Sequence, residues 1–175
     1  MNNQLVKEIK EYAISIVAAL FIALLFHNYV FARATVEGPS MQPTLHNKDI
    51  LFLEKISTET SNVKRGQIVV FDSKNENGDY YIKRVIGVAG DVVEIKNGHV
   101  YLNGNMLNEN YLSANNITEP LSTQSRYTVP SGYVFVLGDN RTNSIDSRIL
   151  GPVNLKDLKG HAVIRVFPFD SIEMF

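Results

Sequence analysis

Tyr80-Tyr81-Ile82-Lys83-Arg84-Val85-Ile86-Gly87-Val88 is followed, after Ala89-Gly90-Asp91, by Val92-Val93-Glu94-Ile95, Lys96-Asn97-Gly98 and His99-Val100-Tyr101-Leu102. These residue types decide the fold class. Short runs rich in Val, Ile and Tyr, bounded by Gly, Asn and Asp, fit strands rather than helices. Asn97-Gly98 between two such runs is the pair that a two-residue hairpin turn favours, because both central residues need a positive φ. A second Asn-Gly, at 103–104, closes the next turn.

Asp49–Ile56, Gln67–Asp72, Tyr133–Leu137 and His161–Phe167 read as further strands. Asn105–Arg126 is a polar excursion with weak structure, and Asp139–Gly151 is polar and loop-like. Asn154 can cap one helical turn through Leu158. Many short strands with turn signals and little helix predict an all-β domain over residues 33–175, either a partly open barrel or packed antiparallel sheets.

The N-terminal part differs. Residues 1–11 form a short polar tail, and residues 12–32 contain no Asp, Glu, Lys or Arg. As a helix, these roughly 21 residues span about 32 Å, the thickness of a bilayer's hydrocarbon core. A single transmembrane helix is therefore expected, with His27, Asn28 and Tyr29 at an interface. Ala32-Arg33-Ala34 resembles a cleavage site, but the apolar run is longer than a removable signal's. Apolar character on all sides also speaks against a buried core helix. Lys7, Lys10 and the α-amino group favour a cytoplasmic tail and an extracytoplasmic domain under the positive-inside rule.

Composition narrows the chemistry. The 175 residues carry 17 Lys+Arg against 18 Asp+Glu, a net charge of −1. No basic stripe supports nucleic-acid binding. Without cysteine there are no disulfides, thiolate metal sites or thiol nucleophile. His27, His46, His99 and His161 show no metal-ligand spacing, so neither metal nor cofactor is expected.

In Gly38-Pro39-Ser40-Met41-Gln42-Pro43-Thr44-Leu45, two prolines restrict the backbone around one serine. A hydroxyl held in one direction suits a nucleophile, though an ordinary turn has the same composition. A nucleophilic serine needs a base. Lys83 lies inside an apolar strand, and burial would lower its pKa enough to accept a proton. An exposed Lys83–Arg84 pair on an edge strand fits the same pattern. In Gly138-Asp139-Asn140-Arg141-Thr142-Asn143-Ser144-Ile145-Asp146-Ser147-Arg148, Asp146 could pair with Arg84 or Arg148, and Ser144 could orient the lysine. A solvated loop with Asx turns is the plainer alternative.

Together, these stretches resemble the type I signal peptidases of bacteria, the Ser–Lys membrane proteases, and most closely their shorter Gram-positive, bacillus-like forms. The likeness also takes in Arg65-Gly66-Gln67-Ile68-Val69-Val70-Phe71, and it covers most of the chain. It implies Ser40 as nucleophile, Lys83 as general base and Ser144 as its positioner. Asp146 would pair with Arg84 and Arg148, and Asp139 would support the loop. The Ser40 N–H would stabilise the oxyanion. Gram-negative relatives add a serine hydroxyl where this chain has Gly38. Val36, Met41, Leu45, Tyr81 and Ile82 would line the groove for a small residue before the scissile bond. The implied substrates are secretory preproteins cut after Ala-x-Ala, by an enzyme embedded in membrane lipid near the protein-export machinery. Two rivals are a self-cleaving repressor, which would need a DNA-binding helix-turn-helix, and an anchored β-domain that only binds partners.

Overall fold

The computed structural model describes residues 2–29, 31–60, 62–113 and 116–175, with the side chains of 2–3, 22–29 and 59 outside that description. Helix α1 (Asn2–Tyr29) is followed directly by β1 (Phe31–Thr35). Phe31 and Ala32, expected in the apolar segment, belong instead to a strand whose residues pair with Glu54 and Leu53. The same strand takes up Ala32-Arg33-Ala34.

Residues 4–21 of α1 are exposed, including Leu5, Ile14 and Phe21. Among the described residues no helix is long and apolar enough to cross a membrane. The stretch whose side chains are described carries Lys7, Glu8, Lys10 and Glu11. The side chains of His27, Asn28 and Tyr29 lie outside the description.

Beyond α1 the regular structure is mostly antiparallel sheet. In chain order come β2 (Ile50–Glu54), the short α2 (Ile56–Glu59), β3 (Ile68–Asp72) and β4 (Tyr80–Gly87). Then follow β5 (Val92–Lys96), β6 (His99–Leu102), β7 (Asn105–Met106), β8 (Arg126–Thr128) and β9 (Tyr133–Leu137). The last elements are α3 (Ser147–Leu150), β10 (Val153–Asn154), β11 (Leu158–Phe167) and β12 (Glu173–Met174). The large sheet runs β1-β2-β11-β3-β4-β9-β10, with β12 on β11, and the small sheet runs β7-β6-β5-β8.

Both Asn-Gly pairs turn as their residue types require. Asn97 and Gly98 have φ of 52° and 79°, and Asn103 and Gly104 have 52° and 86°. Asn154 accepts from Lys156 N–H and caps a 3-10 turn over Leu155–Asp157. Ile56 leaves its expected strand and opens α2. The polar excursion opens with β7 and ends on the first residue of β8, and the Asp139–Gly151 loop contains α3.

Both faces of β4 are covered. Val36, Met41, Leu45, Leu51, Leu53, Val70 and Ile82 pack on one side. Val69, Phe71, Val85, Val134 and Val136 pack on the other, with Tyr81 against them. The small sheet closes its own core of Val93, Ile95, Val100 and Tyr127 on Phe135 and Leu137 of β9. This two-sided burial positions β4 as the spine of the site.

Candidate active site

The chain leaves β1 through Val36, whose N–H donates to Asp49 O and whose carbonyl accepts from Lys48 N–H, both at 2.8 Å. These bonds pinch the ends of the 37–48 loop together. Gly38 has a φ of 81°, a left-handed conformation that costs glycine nothing. Gln42 N–H donates to Pro39 O (3.1 Å) and Leu45 N–H to Met41 O (2.9 Å). Met41 and Leu45 anchor the turn in the core. Ser40 rides on it, half-buried.

Lys83 is buried, and its Nζ lies 2.8 Å from Ser40 Oγ and 2.9 Å from Ile82 O. The Tyr81 ring centroid is 5.3 Å from Nζ. Burial pushes the Lys83 ammonium down to about 8, against the pull of Asp146 and Asp139, which favour the charged form. A neutral amine so placed can accept the serine proton, and an ammonium can give one back.

The geometry of β4 explains how the amine comes to stand there. Val85 donates to Gln67 O and accepts from Gly66 N–H, so its backbone groups face β3. Alternation turns those of Tyr80, Ile82 and Arg84 the other way. Strand β9 pairs with β4 only from Arg84 onward. The Tyr80–Lys83 half therefore has no β9 partner on that edge, and the lysine amine lies against the Ile82 carbonyl there.

The expected pairing of Asp146 with Arg84 does not form. Arg84 donates to both oxygens of Asp139, at 2.9 and 2.7 Å, and to Gly66 O at 2.9 Å. Alternation sends Arg84 to the face opposite Lys83, where Asp139 stands. Asp139 also accepts from Thr44 Oγ1 (2.6 Å), tying the nucleophile turn to β4. Asp146 instead accepts from Arg148 Nε and Nη2, both at 2.9 Å, and from Gly138 N–H at 3.0 Å. It also N-caps α3 through Arg148 N–H. Both carboxylates are fully buried.

Ser144 does not hydrogen-bond Lys83: its Oγ is buried without a partner among the described residues. It lies so close over Gly138 that an added Cβ there would meet it at 2.2 Å and Ser40 O at 2.6 Å. Gly138 is thus a point of close approach between the loop and the nucleophile turn.

A cleft of about 490 Å³ opens beside Ser40 and Lys83. Val36, Met41, Tyr81 and Ile82 line it, together with Tyr80, Asn143 and Ile145. Leu45 does not. It is wholly buried in the core beneath the turn, because its alternative to lining the groove is to anchor it.

Several supporting side chains escaped the sequence reading. Arg141 is buried and donates to Gly138 O (3.0 Å), Thr118 Oγ1 (2.6 Å) and the Glu109 carboxylate. Tyr111 donates to Glu109 Oε1 (2.6 Å) and places its ring 4.0 Å from the Arg84 guanidinium carbon. Arg165 braces the nucleophile turn from β11 through Thr44 O (2.9 Å) and Asp49 (3.1 Å). Nothing in a polar loop sequence signals such burial, since the partners lie far apart in the chain. Among the described residues no group of His, Asp and Glu is placed to hold a metal ion.

Comparison with known proteins adds independent findings. The family model described as signal peptidase, peptidase S26, matches residues 9–167. Signal peptidase I of Bacillus amyloliquefaciens is 40% identical over 172 residues, covering 93% of this chain and 90% of that protein. Signal peptidase I S of Bacillus subtilis (strain 168) is 40% identical over 176 residues, covering 95% and 93%. A crystal structure of a signal peptidase I from Enterococcus faecalis V583 is 38% identical and covers 57% of this chain and 95% of that one, with a TM-score of 0.48.

Proposed function

The chain belongs to the signal peptidases of family S26, as a bacterial type I signal peptidase, and from that premise we propose that Ser40 and Lys83 form its catalytic dyad. The observation that carries the reading is the 2.8 Å contact of a buried, pKa-depressed amine with a half-buried hydroxyl beside an open cleft.

Neutral Lys83 Nζ takes the Ser40 proton as Oγ attacks the scissile carbonyl. The Ser40 N–H stabilises the oxyanion. The Lys83 ammonium then protonates the leaving amine, and the freed lysine activates the water that hydrolyses the acyl-enzyme. Asp139 and Asp146 act by holding the site together. Asp139 ties Arg84 to Thr44, and Asp146 ties Arg148 to Gly138.

The substrate binds extended, adding a strand to the open Tyr80–Lys83 edge. Val36, Met41, Tyr81 and Ile82 give the cleft an apolar wall, which we read as the subsite for a small residue before the cut, favouring preproteins ending in Ala-x-Ala. Residues 1–11 are a cytoplasmic tail, residues 12–32 a single membrane anchor whose last residues continue into β1, and residues 33–175 the extracytoplasmic catalytic domain. The charge-free 12–32 stretch and the exposed apolar side chains of α1 support this arrangement. It places the enzyme in membrane lipid, close to the export machinery.

The test is cleavage of a purified secretory precursor by the full chain in detergent. Ser40→Ala and Lys83→Ala should each abolish processing while the sheet signal in circular dichroism persists. A folded Lys83→Ala that still releases mature product at the normal rate would overturn the dyad.

A further inference from the structure

The stretch over residues 107–125 is too long to be a plain connection between β7 and β8, and it does not simply skirt the domain. Asn116 Nδ2 donates to Asp139 O at 2.7 Å, and Arg141 reaches Glu109 and Thr118. Its most pointed contact is Tyr111. The ring lies on the Arg84 guanidinium at 4.0 Å, and the hydroxyl donates to Glu109, which Arg141 holds in turn. Arg84 spends its own donors on Asp139 and Gly66, and Asp139 holds Thr44, four residues beyond Ser40. The chain Tyr111–Arg84–Asp139–Thr44 thus runs from the excursion to the nucleophile turn.

We propose that Tyr111 is a positioning residue of this peptidase: its ring caps Arg84 and keeps the Arg84–Asp139–Thr44 tie closed, which fixes the turn that carries Ser40. The proposal rests on the reading of Ser40 and Lys83 as the reacting pair. Tyr111 is absent from the lining of the cleft beside Ser40, so it acts through Arg84 and not on substrate. A guanidinium over an aromatic face is held by the ring quadrupole, an attraction that strengthens as the pair is desolvated. Tyr111 is largely buried here, enough to push its phenol well above its ordinary pKa, with Glu109 adding to the effect.

The capping role has a readout that mere structural support lacks. Lys83 is faced by Asp139 and Asp146 from the 138–148 loop, by Ser40 from the nucleophile turn, and by Tyr81 and the Ile82 carbonyl on its own strand. Arg84 neutralises Asp139, and Arg148 neutralises Asp146. If Arg84 loosens, Asp139 favours the Lys83 ammonium more strongly, and the acid limb of kcat/KM must move to higher pH.

The experiment compares Tyr111→Phe, which keeps the ring, with Tyr111→Leu, which keeps apolar bulk without a π face. Precursor cleavage by the full chain is followed from pH 6 to 10, beside the melting temperature. Tyr111→Phe should stay within about twofold of wild type with an unmoved acid limb. Tyr111→Leu should lose about tenfold in kcat with little change in KM, and its acid limb should move up by about 0.5. Equal behaviour of the two variants, or a Tyr111→Leu that melts earlier yet keeps kcat and the limb, overturns the proposal. Should Tyr111→Leu not fold, Tyr111→Met, which likewise fills the space without a π face, takes its place with the same expected limb movement, and an unmoved limb counts against the cap. If Ser40→Ala is itself active, the dyad has failed and the question about Tyr111 falls with it. If Ser40→Ala is dead and Tyr111→Leu is normal, only the cap is wrong.

Discussion

Replacing Lys83 by methionine should stabilise the folded protein at neutral pH while ending cleavage. Methionine is unbranched and of similar bulk, and a buried apolar side chain carries no charge to desolvate. The size of the gain follows from the drop of the lysine from its ordinary 10.5 to about 8. At about 1.4 kcal/mol per pH unit, the folded protein carries the ammonium at a cost of about 3 kcal/mol. The sign with pH is set by linkage. Below pH 8 both folded and unfolded chains hold the proton, so the cost is full and constant. Between about 8 and 10.5 the folded chain gives up the proton while the unfolded chain keeps it, and stability rises with pH. Above that window the dependence ends. Urea unfolding of the full chain in detergent, from pH 6 to 11, measures this for wild type and Lys83→Met. The difference between the two curves cancels every other titrating group. It should favour the variant by about 3 kcal/mol below pH 8 and close towards pH 10.5. Lost contacts to Ser40 and Ile82 O offset part of the gain but do not tilt with pH. A difference that stays flat from pH 7 to 10.5 would show that burial does not depress this lysine, and the proposed base would lose its physical ground.

Cleavage itself should follow the same titration, with kcat/KM rising through pH 8 to an alkaline plateau. A maximum near pH 5 contradicts it. Asp146→Ala leaves the buried Arg148 guanidinium unpaired, so stability should fall by about 3–5 kcal/mol, with activity falling alongside. A stable but inactive Asp146→Asn points instead to direct chemistry. Gly138→Ala forces a methyl group against Ser144 and the Ser40 carbonyl, and should cost about 1–3 kcal/mol together with most of the activity. Thermal melts and precursor assays decide this one, and an active, unshifted Gly138→Ala refutes the close approach. Ile82→Ala should admit residues larger than alanine before the scissile bond, whereas Leu45→Ala should destabilise the core without widening preference. A precursor set varied only at that position separates the two.

Local signals were the legible part of this chain. Asn97-Gly98 and Asn103-Gly104 set their turns through backbone φ alone, with no need of a distant partner. The strands from Ile68 and Tyr80 announce themselves by composition for the same reason. Lys83 could be singled out because a lysine inside an apolar run is conspicuous, although only the packed sheets show that both faces are covered. Illegible were the choices made between distant residues. Arg84 takes Asp139 rather than Asp146 because of which face each presents, and sequence spacing carries no such information. Glu109 and Arg141 sit 32 residues apart in two stretches that both look like solvated loop. β8, which begins where the polar excursion ends, was missed because its pairing with β5 depends on a neighbour, not on its own residues.

The open half of β4 also limits how tightly anything can be held there. Only Tyr80 and Ile82 turn their backbone groups to that edge before β9 takes over. Their amides and carbonyls offer at most roughly four ladder bonds, one of them on the Ile82 carbonyl that already accepts from Lys83, each contributing about 1 kcal/mol net. That corresponds to a dissociation constant of about a millimolar from the backbone alone. A docked strand so held leaves quickly, and the cut product does not clog the enzyme. The same weakness would leave a freely diffusing precursor mostly unbound. Confining enzyme and precursor to one plane would raise their effective concentration enough to compensate. On this view the proposed anchor and the shortness of the edge are two halves of one kinetic solution, with fast release on one side and assured encounter on the other.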